Sequence, residues 1–533
     1  MRELEFDFVI AGGGSAGCVL AARLAAESGA SVALLEQGRR DTNRWIHIPA
    51  TFFKVLQSRD AAVVTSAPDA SLNDRAFPVP GGRVLGGGSS VNGMIYMRGQ
   101  HADYDAWADQ HGCSGWDYAS VLPVFKRQEK NTRLDNDWHG TAGKLVVADP
   151  APPHPLCQSI IDAGQAAGIP ASEDFNGAIQ EGVGWYQVTA HAGQRQSAAH
   201  CFLKPELGRE NLSLLTGFQV QRIRIENRRA KAIEAKDAEG SDWLIRARRE
   251  IIVTAGSLHS PKILMLSGIG PRDELNRHGI EMCHEADAVG RNYHDHVGTP
   301  VTRKLLKKEG LFGADKGLAA LRHGFDYFVL GRGLLNSNLL QAGACVDTAG
   351  QGRPDVQYNF APFAPGAPGS PPLPYHALQI HPMTMRPVSR GRVGLTSADP
   401  AAAPKLEANA LAAEEDLDCL RRGVRLAREM FEASPLREIT GAEIWPGPDI
   451  SSRIGSNSLD DAIRAQARTI YHPAGTCRMG SDSRAVVDTE LRVNGIDGLR
   501  VADCSIMPAL TSGNTNAPTM MIADRAADFI LAG

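Results

Sequence analysis

Three groups of residues have types or spacing that could do chemistry. The first is Gly12-Gly13-Gly14-Ser15-Ala16-Gly17, a G-x-G-x-x-G run at Gly12, Gly14 and Gly17 directly behind the apolar stretch Phe6-Asp7-Phe8-Val9-Ile10-Ala11. Such a loop leaves backbone N–H groups bare for a pyrophosphate, and a helix starting near Ser15 adds the partial positive charge of its N-terminus. Glu36 stands nineteen residues beyond Gly17, where a carboxylate can accept hydrogen bonds from an adenosine ribose and would repel a 2′-phosphate. The second is His472, within Thr469-Ile470-Tyr471-His472-Pro473-Ala474-Gly475-Thr476. An imidazole with a pKa near ~6.5 is neutral at working pH and can take a hydroxyl proton, but one histidine among sixteen gains no role from spacing alone. The third is Asn514, after Gly513: its amide can hydrogen-bond an oxygen that develops negative charge, although Gly-Asn is equally an ordinary turn.

Other chemistries find little support. His294-Asp295-His296 places two histidines at i and i+2 with no evident third ligand, so structural hydrogen bonding is expected there and no metal is assigned. The chain contains no C-x-x-C, H-E-x-x-H or G-x-S-x-G. Nine cysteines are scattered from Cys18 to Cys504, an odd number that suits a reducing, cytoplasmic compartment better than a disulfide scaffold. A net charge of -4 with 43% apolar and 22% charged residues excludes a disordered polyelectrolyte, and no nucleic-acid partner is expected. Met1 to Asp7 leads directly into the first apolar run without a separate signal-peptide core, and no uninterrupted apolar stretch reaches the ~18 residues of a membrane span. Peripheral membrane contact stays open.

These residues need elements to hold them. A strand over Phe6 to Ala11, a helix from Ser15 through Leu20, Leu24 and Ala25, and a strand over Ser31 to Glu36 make a βαβ start. Gly81 to Gly99 is too irregular for a strand and too glycine-dense for a helix; Val84, Leu85, Val91, Met94, Ile95 and Met97 make it an ordered loop able to lie along a large cofactor. Strands are expected near Val220 to Ile225, Ala232 to Ala235 and Trp243 to Ile245, followed by a separate run Glu250 to Gly256. Ser260 then reads as a helix cap, Pro261 as its first turn and Gly268 as its stop. Leu499 to Asp503 reads as a strand, and Pro518 as the start of a helix with Met520, Ala523, Ala526, Ala527 and Ile530 on one face. In the middle, His376 to Met383 and Gly391 to Leu395 suit a sheet roofing the site, while Leu417, Leu420, Val424, Ala427 and Phe431 form a core stripe. The proline-rich stretch Phe360 to Pro374 reads as a loop, either at the entrance or inert.

Four motifs together resemble the glucose-methanol-choline (GMC) family of FAD oxidoreductases over essentially the full 533 residues: Gly12 to Gly17 with Glu36, Gly82 to Asn92, Gly256 to Gly270, and the segment from His472. The resemblance implies FAD rather than NAD, bound non-covalently because Val91 stands where some members carry a flavin-linked histidine. It implies an α/β fold: a Rossmann-like FAD-binding domain over 1–153, 209–295 and 469–533, and an α+β substrate domain on an antiparallel sheet over 154–208 and 296–468. It implies that His472, in the H-P-x-G-T motif, is the catalytic base and Asn514 the second catalytic residue, in the oxidation of a primary or secondary alcohol. It implies hydride transfer to flavin N5, with the electrons passed on to oxygen or a quinone-type acceptor; a hydroxynitrile lyase of the same fold is the alternative. Carried onto matching positions, cofactor contacts are implied for Gly12, Gly14, Ser15, Ala16, Gly17, Glu36, Gln37, Arg83, Val84, Gly88, Asn92, Gly93, Met94, Val220, Tyr471, Ala502, Asp503, Asn516 and Thr519. The last helix is implied to point its N-terminus at the flavin pyrimidine, with Asn516 and Thr519 near that edge. A quaternary ammonium substrate would call for aromatic faces or a carboxylate in the pocket, and 6% aromatic content argues against an aromatic cage.

Overall fold

The computed structural model describes residues 1–364, 366, 373–450 and 457–533. Part of the proline-rich stretch, 365 and 367–372, lies outside the described residues.

Arg2–Ala11 lies inside a seven-stranded sheet, parallel to Val32–Glu36 on one side and to Asp242–Val253 on the other. Leu212–Thr216 adds in parallel beyond Val32–Glu36, and Leu499–Val501 pairs in parallel with Ile251 to Val253. The antiparallel strands Arg229–Lys236 and Gln219–Glu226 complete the other edge. Val9, Ile10 and Ala11, like Val32 to Leu35, are fully buried, because a parallel sheet covered on both faces takes continuous apolar runs. The helix Ser15–Glu27 packs beside the last helix, Asn516–Ala532, and Arg23 clamps the two through Asp524 at 2.6 Å and Asp528 at 2.7 Å.

A second sheet of eight strands runs Thr440–Trp445, Val301–Leu305, Ala377–Thr384, Val356–Ala361, Ala342–Val346 and Gly182–Trp185, with every pairing antiparallel. Val297–Gly298 joins it, bonding both Ala377–Thr384 and Arg468–Thr469. Along Ala377–Thr384 every residue is buried. The helix Glu414–Glu432 covers this sheet with its buried stripe Leu417, Leu420, Val424, Ala427 and Phe431, and a Cβ at its Gly423 would stand 2.8 Å from Pro382 Cβ. The expected combination of a Rossmann-like α/β half and an antiparallel sheet is therefore present. The two cores exchange segments: Val64, Leu72, Phe77 and Val79 pack into the second, and Ala198 to Leu203 into the first.

Several local expectations need correction. Trp243 to Ile245 and Glu250 to Val253 are one continuous strand, Asp242–Val253, because Arg2–Ala11 pairs with it on both sides of the charged middle, with one register shift between Phe6 and Phe8. The helix expected to begin at Ser260 begins four residues earlier as Gly256–Leu266. Ser260 is buried inside it, donating from its hydroxyl to Asp503 Oδ2 at 2.6 Å, so a tertiary partner replaces the cap expected there. The last helix begins at Asn516, two residues before Pro518, which keeps that proline in the first turn. Arg392–Gly394 pairs only with Lys405–Glu407, in a separate two-stranded ribbon rather than in the roof sheet. No helix among the described residues is long and apolar enough to cross a membrane, and all nine cysteines are free.

Two glycines hold the first turn tight. Gly12 has φ +117°, and a Cβ there would lie 2.6 Å from Thr254 O; a Cβ at Gly17 would overlap the Gly12 carbonyl oxygen. Gly17→Ala should destabilise the protein by about 3 kcal/mol, since backbone and not a flexible side chain must give way. Thermal unfolding beside Gly29→Ala, where a Cβ meets nothing within 4 Å but φ is +65°, separates steric overlap from backbone strain: the Gly17 variant should lose more.

Candidate active site

His472 follows the edge strand Arg468–Thr469 and sits beneath the antiparallel sheet, 8% exposed. Its chain position is fixed by Asp295, whose Oδ1 accepts the His472 backbone N–H at 2.9 Å and whose Oδ2 accepts the Thr469 hydroxyl and, at 3.2 Å, the Tyr293 hydroxyl. Tyr471 holds φ +70° and turns its half-exposed side chain outward, so the chain reverses just before the histidine.

The ring is fixed as firmly as the backbone. Tyr186 Oη donates to Tyr358 O at 2.7 Å, and Gln357 Nε2 donates to Tyr186 Oη at 3.3 Å and to Asn514 Oδ1 at 3.2 Å. That orients Asn514, whose Nδ2 donates to His472 Nε2 at 3.1 Å. Nε2 is therefore the acceptor, and the proton resides on Nδ1, which donates to His296 Nδ1 at 2.8 Å. His296 in turn donates from Nε2 to Met385 O at 3.0 Å. Burial, then His296, holds His472 well below its usual 6.5, and burial takes His296 down to about 4. Burial pushes Asp295 up to about 7, against its hydrogen bonds from Thr469, His472 and Tyr293. The result is a neutral base with its lone pair aimed at Asn514.

The glycine-rich segments close on one another beside this pair. Gly86 N donates to Gly13 O at 2.7 Å, and Ser89 N donates to Ser15 Oγ at 3.2 Å. Ser15 Oγ donates to Asn516 Oδ1 at 2.9 Å, so three segments up to 501 residues apart meet at one hydroxyl. Both Glu36 oxygens accept backbone N–H groups, from Gly13 at 2.9 Å and Gly38 at 2.7 Å, while burial raises its pKa to about 7. A Cβ at Gly14 would come no nearer than 3.9 Å to anything, and one at Gly88 would meet nothing within 4 Å. These two glycines thus border open space lined by bare amides, which fits a dinucleotide phosphate and its planar ring system.

The remaining expected contacts sort by position. Ala16 and Val84 are buried around the cradle, whereas Gln37 and Arg83 are exposed at its ribose end. Asn92 Oδ1 accepts from Met94 N at 3.1 Å, Gly93 O accepts from Asn338 at 2.9 Å, and Met94 takes φ +62°. Val220 is half-buried on Gln219–Glu226, and Ala502 is buried behind Leu499–Val501. Asp503 is engaged in structure: its Oδ2 accepts Gly256 N at 2.8 Å as well as Ser260. Thr519 is buried and donates to Thr515 O at 2.7 Å within the first turn of the last helix.

Three participants escaped the sequence reading. His296 was legible only as part of a His-Asp-His string read as structural; it contacts the base, whereas neither ring nitrogen of its neighbour His294 has a hydrogen-bond partner among the described residues, contrary to that expectation. Gln357 carries no local signal, since its role comes from strand register. Arg195 is buried and reaches across to the second glycine segment, donating to Ser89 O at 3.2 Å and Asn92 Oδ1 at 2.7 Å; burial takes it down to about 9. No cluster that could hold a metal occurs among the described residues.

Comparison with known proteins agrees with this geometry. Family models described as GMC oxidoreductase match residues 6–298 and 387–523. The chain is 40% identical over 533 residues to an oxygen-dependent choline dehydrogenase of Brucella ovis, covering 99% of this chain and 96% of that protein. It is 39% identical over 534 residues to an alcohol dehydrogenase [acceptor] of Pseudomonas putida, with the same coverage. Among solved structures, pyridoxine 4-oxidase from Mesorbium loti superposes with a TM-score of 0.87 at 30% identity, covering 98% of both chains. A formate oxidase superposes with a TM-score of 0.91 at 25% identity, covering 100% of this chain and 99% of that one. With the paired glycine loops, the acid at the end of the second strand and the oriented histidine in one continuous match, the chain belongs to the glucose-methanol-choline (GMC) oxidoreductase family, FAD-dependent enzymes that act on alcohols.

Proposed function

We propose that the protein oxidises an uncharged primary or secondary alcohol to the aldehyde or ketone, passing the electrons to oxygen or a quinone-type acceptor. The observation that carries this reading is the orientation of His472 Nε2 as an acceptor facing Asn514. A substrate hydroxyl placed between His472 and Asn514 would donate its proton to Nε2 and accept from Asn514 Nδ2, replacing their direct hydrogen bond. His296 receives the Nδ1–H and so steadies the imidazolium that forms, by delocalising its proton toward a second ring. FAD, when bound, would supply the two-electron acceptor for the hydride of the carbinol carbon.

Glycine loops Gly12 to Gly17 and Gly86 to Gly88 would hold the phosphates, Glu36 the ribose, and the N-terminus of Asn516–Ala532 the pyrimidine edge, where negative charge gathers on reduction. Gln37, Arg83, Val84, Asn92, Gly93, Met94, Val220, Tyr471, Ala502, Asp503 and Thr519 complete the contacts assigned to it. Attachment is non-covalent in this reading: Val91 offers no nucleophile and packs with Ile46, Val55 and Val84. The cofactor half comprises 1–153, 209–295 and 469–533, and the substrate half 154–208 and 296–468.

An uncharged substrate is the reading that the 6% aromatic content supports, since a quaternary ammonium would call for aromatic faces or a carboxylate in the pocket. The lyase alternative draws no support from the relatives above, whose names are those of oxidoreductases. An anaerobic titration of the flavin's absorbance tests both points: alcohols with apolar chains should bleach it and choline should not, while no bleaching by any alcohol overturns the reading. Return of colour in air then separates an oxidase from a dehydrogenase.

Two further outcomes follow from the ring contacts. His472→Ala should retain FAD but slow flavin reduction at least ~100-fold in stopped-flow measurement. For pH, a depressed histidine pKa means that the neutral base persists as pH falls past the ordinary value. The reduction rate should therefore stay level down through pH 6.5 and decline only below it.

A further inference from the structure

The helix Gly317–Phe328 inverts the usual arrangement of a surface helix. Leu318, Leu321, Phe325 and Phe328, with Val329 just past its end, fall within one ~100° arc and are exposed by 84%, 71%, 56%, 62% and 64%. The side turned to the protein is the polar one. Tyr327 donates from its hydroxyl to Gly193 O at 2.8 Å, and His323 lines a cavity of about 320 Å³. No residue of the helix is buried. Scattered apolar residues on a surface are ordinary, but a contiguous outward face of leucine and phenylalanine marks a contact surface.

Charge selects the occupant. Residues 304–332 carry six Lys or Arg (Lys304, Lys307, Lys308, Lys316, Arg322, Arg332) against three acids (Glu309, Asp315, Asp326), a net of +3 in a chain whose net charge is -4. A second copy of the chain would bring two such positive patches together. We propose that Gly317–Phe328 is an interfacial helix that lies in the surface of a lipid bilayer carrying anionic headgroups, its apolar face among the acyl chains and its flanking cations at the phosphates.

The placement has a use. Leu339 forms part of the cavity wall behind the helix and packs with Leu340 against Met94 and Phe52, and Asn338 bonds Gly93 O. The docked bilayer would thus stand over an apolar cavity whose inner wall touches the second glycine segment, a short route for a lipid-dissolved reactant.

The test is co-sedimentation of the purified flavin-loaded protein with vesicles of phosphatidylcholine alone or mixed with phosphatidylglycerol at roughly 3:1. The protein should pellet with the mixed vesicles, less so at high salt, and Leu321→Glu with Phe325→Glu should lower the bound fraction at least ~10-fold. Flavin content and turnover of a water-soluble alcohol without vesicles should be unchanged in that variant, which shows that it folds. Equal pelleting of both proteins, or pelleting of neither, overturns the proposal. Self-association of the unaltered protein that the variant abolishes, without vesicle binding, overturns it in favour of an interface between copies. The readout is binding, so it stands apart from whether any alcohol reduces the flavin.

Discussion

A base that must take a proton from an alcohol needs a free lone pair at one known nitrogen, and the site is organised around that constraint. Desolvation alone would make His472 neutral but would leave its tautomer undecided. The decision comes from the antiparallel sheet. Gln357 on Val356–Ala361 orients Asn514, and Met385, just past Ala377–Thr384, accepts from His296. Both ends of the hydrogen-bond chain are thus anchored in main chain or in a side chain fixed by main chain, and a one-residue slip of either strand would turn the anchoring groups to the opposite face.

At the glycine loops the requirement is the opposite one, bare backbone instead of aimed side chains. Glycine meets it in two different ways. Gly12 and Gly17 are small because protein touches them, whereas Gly14 and Gly88 are small because nothing does. The first kind brings strand and helix close enough for amides to converge, and the second leaves the converged amides accessible. Glu36 belongs with the first kind as much as the second. By accepting from Gly13 and Gly38 it holds the turn open at the ribose end, and burial costs its charge enough to bring its pKa to about 7.

What was legible in the sequence follows from this division. The phosphate end depends on local backbone geometry, so Gly12 to Gly17, the helix from Ser15 and the strand ending at Glu36 stand in the chain as a recognisable string. The catalytic end depends on register between distant strands, which leaves no local string. Gln357 looks like any strand residue, and His296 was read with His294 although only His296 bonds the base. Ser260 shows the same limit at the level of an element: a serine before a proline reads as a helix cap, yet Asp503, 243 residues away, claims its hydroxyl. Arg195 likewise acquires meaning only when folding buries it against Ser89 and Asn92.

Interleaving of the two halves along the chain has a mechanical consequence for the base. After contributing Gly182–Trp185, the chain returns to the antiparallel sheet at Val297–Gly298 and leaves it at Arg468–Thr469, and these last two crossings pair with each other. Asp295 stands at the first crossing, and Thr469 and His472 at the second; its carboxylate accepts from both. His296 and His472 therefore flank one seam, joined by backbone ladder, carboxylate and ring contact. If the halves shift against each other during substrate entry, the two rings travel as one unit, because breaking their alignment would leave Asp295 unpaired in a buried site. The seam places the base where both halves meet and gives it a position that neither half alone could change.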